Sequence, residues 1–457
     1  MRQKQNMDML HGTLWDKILL VAVPLACTAA LQQLFNAADI AVLGRAVGKT
    51  AMAAVGSNAP VVGLGVNLLN GLSLGANVVI SGYIGSGERK KVQQAVHIAI
   101  LVAVTCGFGL TVLGEIVARP LLNLLKVPDS VMPMALLYLR VYLLGMPLFA
   151  LYNFEAAVFR SIGDTRTPLY CLAMSGVVNV CLNLFFVLRL GRTVDGVAIA
   201  TVVSNLICAG LLFFLLCRSR EAVRVCWKAF EMDLAILRRM LQIGIPTACQ
   251  LMVVSLANIF VQSGVNRLGE DAIAGGSAAS NIEIFGFYAI TAFGQACTTF
   301  VGQNYGAGDL ERSRRAVRVC LLEEAIATVL IVSSILLFCT PLIRIFNQDP
   351  AVVALGRTRT FFIVPSWGFS IFIEVLSGAM RGYRCSFVPA MMAILGTCGV
   401  RVVWIATVFR SIGTFASLYA VYPVSLGITS AAIIAAYFVV QKRLSALWRA
   451  DRISPVT

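Results

Sequence analysis

Long apolar stretches alternate with short polar segments along almost the whole chain. Twelve of these stretches are long enough to cross the roughly 30 Å hydrocarbon layer of a bilayer, which takes about 20 residues of helix. They lack the two-residue alternation of a membrane barrel, so the pattern predicts an all-α integral membrane protein with twelve transmembrane helices. The predicted spans are residues 18–43, 53–83, 92–118, 133–157, 167–188, 194–217, 240–266, 272–300, 316–343, 359–380, 388–409 and 414–440.

The distribution of Lys and Arg in the short loops predicts the orientation. One set of alternating loops, together with both termini, carries about twice as many of these residues as the other set. Because Lys and Arg accumulate on the cytoplasmic side, we expect both termini there. The longest cytoplasmic connection then divides the chain into an N-terminal six-helix lobe (1–217), an interlobe linker (218–239), a C-terminal six-helix lobe (240–441) and a cytoplasmic tail (442–457).

The two predicted lobes resemble each other when the chain is shifted by 221 residues. An ordered series of matches at one offset indicates an internal duplication. Because each copy has an even number of spans, both copies enter the membrane from the same side, as parallel repeats. We expect such repeats to enclose a cavity that opens to alternate sides. The matches are Gly48 with Gly269, Gly65 with Gly286, Gly85-Ser86-Gly87 with Gly306-Ala307-Gly308, Arg160 with Arg381, Pro168 with Pro389 and, with a slip of one residue, Pro24 with Pro246.

Composition excludes several classes of protein. The 457 residues are 58% hydrophobic and only 13% charged, against about 25% charged in soluble domains, which argues against a water-soluble enzyme. The net charge of +15 comes from short clusters such as Arg89 to Lys91, which we interpret as topology signals and not as a nucleic-acid surface. The 13 cysteines form no CxxC pair, and with only two histidines they predict no metal centre, no cofactor and no catalytic residues.

The first span carries three polar residues on one helical face. Gln32, Asn36 and Asp39 are spaced i, i+4 and i+7. An ionised Asp near the middle of a bilayer costs about 3 kcal/mol, so Asp39 is a candidate coupling carboxylate whose charge switches on binding a proton or a monovalent cation. The structural alternative is a helix cap or a loop partner of Arg45.

Two further spans supply partners for this carboxylate. Asn179 and Asn183 form an i, i+4 pair in the fifth span, and Thr201 lies in the sixth. Their amide and hydroxyl groups are expected to converge on Asp39 within one lobe. The alternative is a polar contact between helices, which is common in membranes.

The second lobe does not repeat the acid, because Asp39 maps onto the apolar residues Phe260 or Val261. Two polar stripes are candidates for lining the substrate cavity, and three charged residues lie within spans. We leave two interpretations of these charges open: Glu283 pairs with Arg401 or binds cations, and Glu374 binds cations or reaches towards Arg381. The stripes are Asn70, Ser73, Asn77 and Ser81 in the second span and Ser255, Asn258, Gln262 and Asn266 in the seventh; the charges are Glu283, Glu374 and Arg401.

Taken together, these motifs resemble the multidrug and toxic compound extrusion (MATE) family over essentially the whole chain. The resemblance implies export of cationic or amphipathic compounds in exchange for protons or sodium. In family members with a cation site in the N-terminal lobe, the first-span Asp is joined by residues spaced like Asn179, Asn183 and Thr201; some members have Asp where this chain has Asn183. The motifs are Pro24, Asp39 and Val42 to Arg45, Gly85 to Arg89, Gly302 to Gly308, Phe159 to Thr165 with Pro168, and Met380 to Tyr383 with Pro389.

We therefore expect a monomeric exporter of the bacterial inner membrane, coupled to H⁺ or Na⁺, with the lipid bilayer as its solvent and no nucleic-acid partner. One rival within transport is a flippase of lipid-linked oligosaccharides with a related two-lobe topology, which predicts more cations in the cavity than Arg401 alone. A rival of another class is an intramembrane enzyme or receptor, for which the sequence shows no zinc motif, no Ser/Lys dyad and no soluble sensing domain.

Overall fold

The computed structural model describes residues 7–219, 221–226 and 231–453, with side chains described as far as residue 448. Within these ranges the chain is helical and contains no strand. The predicted interlobe linker and cytoplasmic tail extend in part outside the described residues, at residues 220, 227–230 and 454–457.

Seventeen α-helices and three π-helical segments make up the described chain. The α-helices are α1 (Trp15–Ala46), α2 (Lys49–Gly85), α3 (Arg89–Leu124), α4 (Met132–Leu144), α5 (Met146–Ser161), α6 (Arg166–Leu184), α7 (Val194–Arg218), α8 (Leu234–Asn266), α9 (Glu270–Gly306), α10 (Leu310–Leu337), α11 (Cys339–Phe346), α12 (Pro350–Gly382), α13 (Phe387–Ala393), α14 (Val400–Trp404), α15 (Arg410–Ile412), α16 (Phe415–Tyr419) and α17 (Val421–Ile453). The π-helical segments are π1 (Phe185–Arg189), π2 (Ile394–Gly399) and π3 (Ile405–Phe409).

Twelve segments of the described chain have the length and apolarity of a membrane span. Eleven are single or nearly continuous helices, and the twelfth is the pair α4 and α5, which is bent by 48°. Pro147 in the first turn of α5 lacks the N–H that would continue the hydrogen bonding of α4, and this explains the break. The chain is thus a multi-pass, all-α membrane protein with the predicted number of spans, and the prediction of the fold class is confirmed.

The duplication is visible in the backbone as well as in the sequence. Gly87 and Gly308 end equivalent loops with φ of 73° and 79°. Gly163 has φ of 82°, and its equivalent Arg384 keeps the same left-handed conformation at φ 64° although it carries a side chain. Arg384 therefore accepts a backbone conformation that ordinarily favours glycine, because the geometry of the repeat requires the same turn.

Contacts divide the chain into two compact units. The first contains the described residues up to Gly12, Val23–Met252 and Gly306–Gly308, and the second contains Thr13–Ala22, Val253–Tyr305 and the described residues from Asp309 onwards. The first part of α1 thus belongs to the second unit, and the first part of α8 belongs to the first. The division occurs close to Pro24 and Pro246, the prolines inside these two helices.

Within each unit, glycines let helices approach closely, as is usual between helices in a membrane. In the first unit, a Cβ on Gly71 of α2 would lie 2.2 Å from the Cα of Ala248 in α8. In the second, a Cβ on Gly378 of α12 would lie 2.3 Å from the carbonyl oxygen of Gly294 in α9. Both contacts are with backbone atoms, so these positions have no room for a larger residue.

Candidate ion and substrate sites

Asp39 lies on α1 inside the first unit, with only 7% of its surface exposed. The side chain of Asn183, on α6, donates from Nδ2 to Oδ1 of Asp39 at 2.5 Å. The hydroxyl of Thr201, on α7, donates to Oδ2 at 3.3 Å. The structure therefore brings a carboxylate from the first span together with partners from the fifth and sixth spans.

The partners of Asp39 are themselves held in place by hydrogen bonds. Nδ2 of Asn183 also donates to Oδ1 of Asn179, one turn earlier on α6, at 3.1 Å. Nδ2 of Asn179 lies 3.4 Å from the hydroxyl oxygens of both Thr201 and Ser204 on α7. All four residues predicted for the ion site thus form one network, and Ser204 is an additional member that the sequence analysis did not include.

The local backbone changes directly after this network. α6 ends at Leu184 and continues as π1, which begins two residues after Asn183. A π-helical turn inserts an extra residue per turn, and such insertions often occur at functional sites. The wider turn shifts the residues after Asn183 around the helix axis, and Gly191 (φ 61°) then closes the loop before α7.

Asp39 has no cationic partner among the described residues. It makes hydrogen bonds only with an amide and a hydroxyl, and Oδ1 of Asn183 is a buried acceptor that receives no hydrogen bond from the described part of the chain. A buried carboxylate without a counter-ion is costly unless a proton or a cation neutralises it. The oxygens of Asp39, Asn179, Asn183 and Thr201 are hard ligands of the kind that suits a proton or a small monovalent cation.

Two tyrosines on α4 were missed by the sequence analysis. Tyr138 and Tyr142 are each 7% exposed, their rings lie 6.0 Å apart, and both interact electrostatically with Asp39. They surround the carboxylate with aromatic surface and so shield it from the bilayer. The available signal was their i, i+4 spacing in the fourth predicted span, but the same spacing is typical of ordinary core tyrosines.

The predicted substrate-cavity residues of the first lobe divide into exposed and buried ones. Gln32 and Asn36 are exposed on α1, and Asn70 on α2 is half-buried. Because exposed amides in the middle of a span are disfavoured in lipid, they indicate a surface that water reaches. The remainder of the α2 stripe does not line a cavity as we had predicted: Ser73, Asn77 and Ser81 are buried, with Asn77 donating to the carbonyl of Ala157 on α5 at 3.2 Å.

The predicted pairing of Glu283 with Arg401 is wrong. Glu283 on α9 is instead bound by Arg359 on α12, with Nη2 and Nε lying 3.0 and 3.1 Å from Oε2. Arg359 also donates to the hydroxyl of Tyr419 at 3.1 Å. We had assigned Arg359 to the end of an outer loop, but α12 begins nine residues earlier at Pro350, so Arg359 lies about 14 Å into the helix.

Arg401 on α14 is buried, with 4% of its surface exposed. Its Nη1 donates to Oδ1 of Asn258 on α8 at 2.7 Å, and its Nε lies 3.4 Å from the hydroxyl of Ser425 on α17. The guanidinium carbon lies 4.2 Å from the centre of the Tyr422 ring. None of these partners is a carboxylate. Asn258 is exposed, as is Gln262 one turn further along α8, which donates to Oδ1 of Asn266 at 3.0 Å.

Glu374, on α12, is half-buried and interacts electrostatically with Arg381 on the same helix. It also interacts with Glu324 on α10, which is fully buried, and neither carboxylate oxygen of Glu324 makes a hydrogen bond within the described chain. Glu155, on α5 of the first unit, is another fully buried acid of this kind. The sequence analysis missed Glu155 and Glu324 because both lie near the cytoplasmic ends of their predicted spans.

Twelve helical spans, built as a duplicated six-span unit with buried polar sites, define a membrane transporter. The MatE family model matches residues 24–185 and again residues 246–407. The two matches are separated by the offset of the internal repeat and together cover more than half of the chain. The chain belongs to the MatE family of transporters, which confirms the family resemblance found in the sequence.

Bacterial relatives match over most of their length. The chain is 26% identical to the probable multidrug resistance protein YoeA of Bacillus subtilis, across 85% of this chain and 86% of that one. It is 28% identical to the probable multidrug resistance protein NorM of Thermotoga maritima, across 83% and 82%. Among solved structures, a MOP superfamily transporter from Pyrococcus furiosus has the same fold, with a TM-score of 0.88 at 21% identity over 98% of this chain and 99% of that one.

Proposed function

We propose that this protein is a secondary active multidrug exporter that exchanges protons or sodium ions for cationic or amphipathic compounds. The observation that carries the proposal is the buried Asp39 site, in which a carboxylate without a counter-ion is held by Asn183 and Thr201. The printed names of the relatives YoeA and NorM support multidrug export. The protein would act as a monomer in the bacterial inner membrane with both termini in the cytoplasm.

Ion exchange at Asp39 would provide the coupling. When Asp39 is ionised, its buried negative charge favours a lobe conformation that admits water or a cation, because an unneutralised carboxylate in the membrane is costly. Binding a proton or a sodium ion removes that cost and permits the opposite conformation. A conformational equilibrium that depends on site occupancy is what alternating access requires, since a ligand shifts an equilibrium only by its differential affinity for the two states.

The driving force is sufficient for useful accumulation. One elementary charge moving through a membrane potential of about 100 mV releases about 2.3 kcal/mol. This energy corresponds to a concentration ratio of roughly fifty for a cargo coupled to one ion. The transporter needs no phosphate hydrolysis and no further cofactor to reach that ratio.

The cargo would contact the polar residues that are exposed within spans. Gln32 and Asn36 on α1, and Asn258 and Gln262 on α8, are exposed amides, and Asn70 is half-buried. Glu374 would add a negative charge that attracts cations. Glu283 is removed from this set, because the bidentate contact with Arg359 neutralises it.

Ethidium efflux from cells tests the proposal. Cells that produce the wild-type protein should lose preloaded ethidium faster than cells without it, and collapse of the ion gradients should abolish the difference. Asp39→Asn should slow the efflux at least tenfold, because the site can no longer change its charge. Asp129→Asn, which alters an exposed acid in the loop after α3, is the matched control and should behave as wild type. Wild-type efflux by Asp39→Asn would contradict the proposal.

A further inference from the structure

The second repeat carries an arginine where the first repeat has part of the Asp39 network. At the offset of the repeat, Arg401 takes the place of Asn179, and Ser425 takes the place of Ser204. Asn258 likewise corresponds to Asn36. The contacts follow the same scheme, because Asn179 approaches Ser204 and Arg401 approaches Ser425, in both cases at 3.4 Å. Equivalent polar positions therefore hold a buried negative charge in one repeat and a buried positive charge in the other.

The positive charge of Arg401 is not balanced within its unit. Its three contacts are with an amide, a hydroxyl and an aromatic ring. The nearby acid Glu283 is bound by Arg359, and that guanidinium lies 5.2 Å from the Tyr419 ring. Two arginines thus share one carboxylate, and the uncompensated charge remains on Arg401. A buried charge without a counter-ion is expensive, so the arrangement favours an anion from outside the chain.

The geometry of the arginine suits an anionic group. Tyr422 holds one face of the guanidinium, which fixes its plane and leaves its edge for hydrogen bonding. Asn258 contacts Nη1 and is itself exposed, so the hydrogen-bonding edge lies next to a surface that solvent reaches. A planar guanidinium binds carboxylate or phosphate oxygens through paired hydrogen bonds, which a lysine does not reproduce.

We propose that Arg401, with Asn258, Ser425 and Tyr422, forms an anion subsite that binds a carboxylate or phosphate group of the transported compound. The inference rests on the proposed export function and extends its substrate class to zwitterions. Such a compound would carry its anionic group beside a cationic or aromatic part. The acid of the first repeat would serve ion coupling, and the arginine of the second would select the cargo.

A pair of dyes that differ in one charge tests this subsite. The probes are rhodamine as the free acid and the same rhodamine as its methyl ester, and binding to the purified full-length protein is followed by fluorescence polarisation. Wild type should bind the free acid about tenfold more tightly than the ester, the range expected for a charge-assisted hydrogen bond. Arg401→Gln should abolish this preference by weakening the acid about tenfold and leaving the ester unchanged. Arg401→Lys should restore only part of the preference.

The control variant is Arg357→Gln, which removes an exposed arginine of α12 and should leave both affinities as in wild type. Unchanged ester binding also shows that Arg401→Gln is folded. An equal loss for both dyes, or no loss for the acid, would overturn the subsite but not the export function. If the wild-type protein neither binds nor transports either dye, both proposals fail.

Competition identifies the source of the anionic group. Inorganic phosphate and phosphatidylglycerol are each added to the binding assay. Displacement of the free acid but not of the ester, lost in Arg401→Gln, supports the subsite and shows which of the two anions also reaches it. Displacement of both dyes equally would mean that the competitor acts elsewhere, and if wild type also shows no preference for the acid, the proposal is overturned.

Discussion

At the scale of single residues, Asp39 depends on hydrogen bonds from neutral side chains. Asn183 and Thr201 each contact one carboxylate oxygen, and Asn179 fixes both of them. Because no residue in the network carries a positive charge, the carboxylate remains available to a proton or a cation. Weakening one contact should therefore change the ion affinity without removing the site.

Thr201 provides a graded test of this network. Thr201→Val removes the hydroxyl and keeps the shape, so we expect the apparent affinity for the coupling ion to fall about fivefold, which corresponds to about 1 kcal/mol for one hydrogen bond. The affinity is measured from dye transport against proton and sodium concentration. Thr201→Ser should retain it. Thr407→Val is the control, because Thr407 is exposed and bonds only to its own helix; a loss of the same size there would contradict the prediction.

The Glu283–Arg359 pair is expected to stabilise the second unit. Arg359→Gln leaves a buried carboxylate without its partner and should lower the free energy of unfolding by about 3–5 kcal/mol, measured by thermal unfolding in detergent. The double variant with Glu283→Gln should regain most of that loss. The exposed pair of Glu311 and Arg315 is the control, where Glu311→Gln should cost less than about 1 kcal/mol. Additive losses in the double variant would argue against the pairing.

The sequence predicted which residues meet around Asp39 but not which charges pair in the second lobe. Helical spacing placed Asn179 and Asn183 on one face, and a buried acid needs polar neighbours, so that cluster followed from simple rules. The pairing of Glu283 was mispredicted because its true partner, Arg359, looked like a loop residue. The hydrogen-bonding reach of Arg359 depends on the start of α12 at Pro350, and helix ends are difficult to locate from sequence.

At the scale of helices, the apolar pattern predicts the spans but not their internal irregularities. The predicted fifth and eleventh spans contain π1, π2 and π3. A π-helical turn depends on how neighbouring side chains pack, and no local residue pattern specifies it. These segments follow the polar residues Asn183 and flank Arg401, so the part of the helix that sequence predicts least well is the part next to both candidate sites.

Close helix packing gives a prediction at this scale. Gly378→Ala should destabilise the second unit by about 1–3 kcal/mol, because the added Cβ would meet the backbone oxygen of Gly294 and force α9 and α12 apart. Gly368→Ala, on the same helix, has no atom within 4 Å of the new Cβ and should be neutral or slightly stabilising. Thermal unfolding of the two variants measures the difference. Equal midpoints for both would mean that the contact does not limit packing.

At the scale of the whole molecule, duplication explains most of what the sequence revealed. The matching glycines and prolines predicted two copies of six spans, and the two matches to the family model have the same spacing. The sequence did not indicate that the first parts of α1 and α8 belong to the units formed mainly by the other half. That exchange depends on the direction in which each helix leaves its proline, which composition and periodicity do not encode.

The proposed orientation has a direct test. Lys90→Cys and Lys126→Cys introduce thiols at exposed loop positions predicted to lie inside and outside the cell. A maleimide that does not cross membranes should label Lys126→Cys in intact cells and Lys90→Cys only after permeabilisation. The parent protein lacks the exposed native cysteines Cys27 and Cys181 and shows the background labelling. The reverse pattern would place the termini outside.

The account depends most on ion coupling at Asp39, which purified protein in vesicles can test directly. Dye accumulation is measured while a pH gradient and a sodium gradient are imposed separately, for wild type and Asp39→Asn, and dye binding is measured in parallel. We predict that one of the gradients drives accumulation by wild type, and that Asp39→Asn binds the dye but accumulates it at least tenfold more slowly. Accumulation by Asp39→Asn at the wild-type rate under both gradients would contradict the central claim.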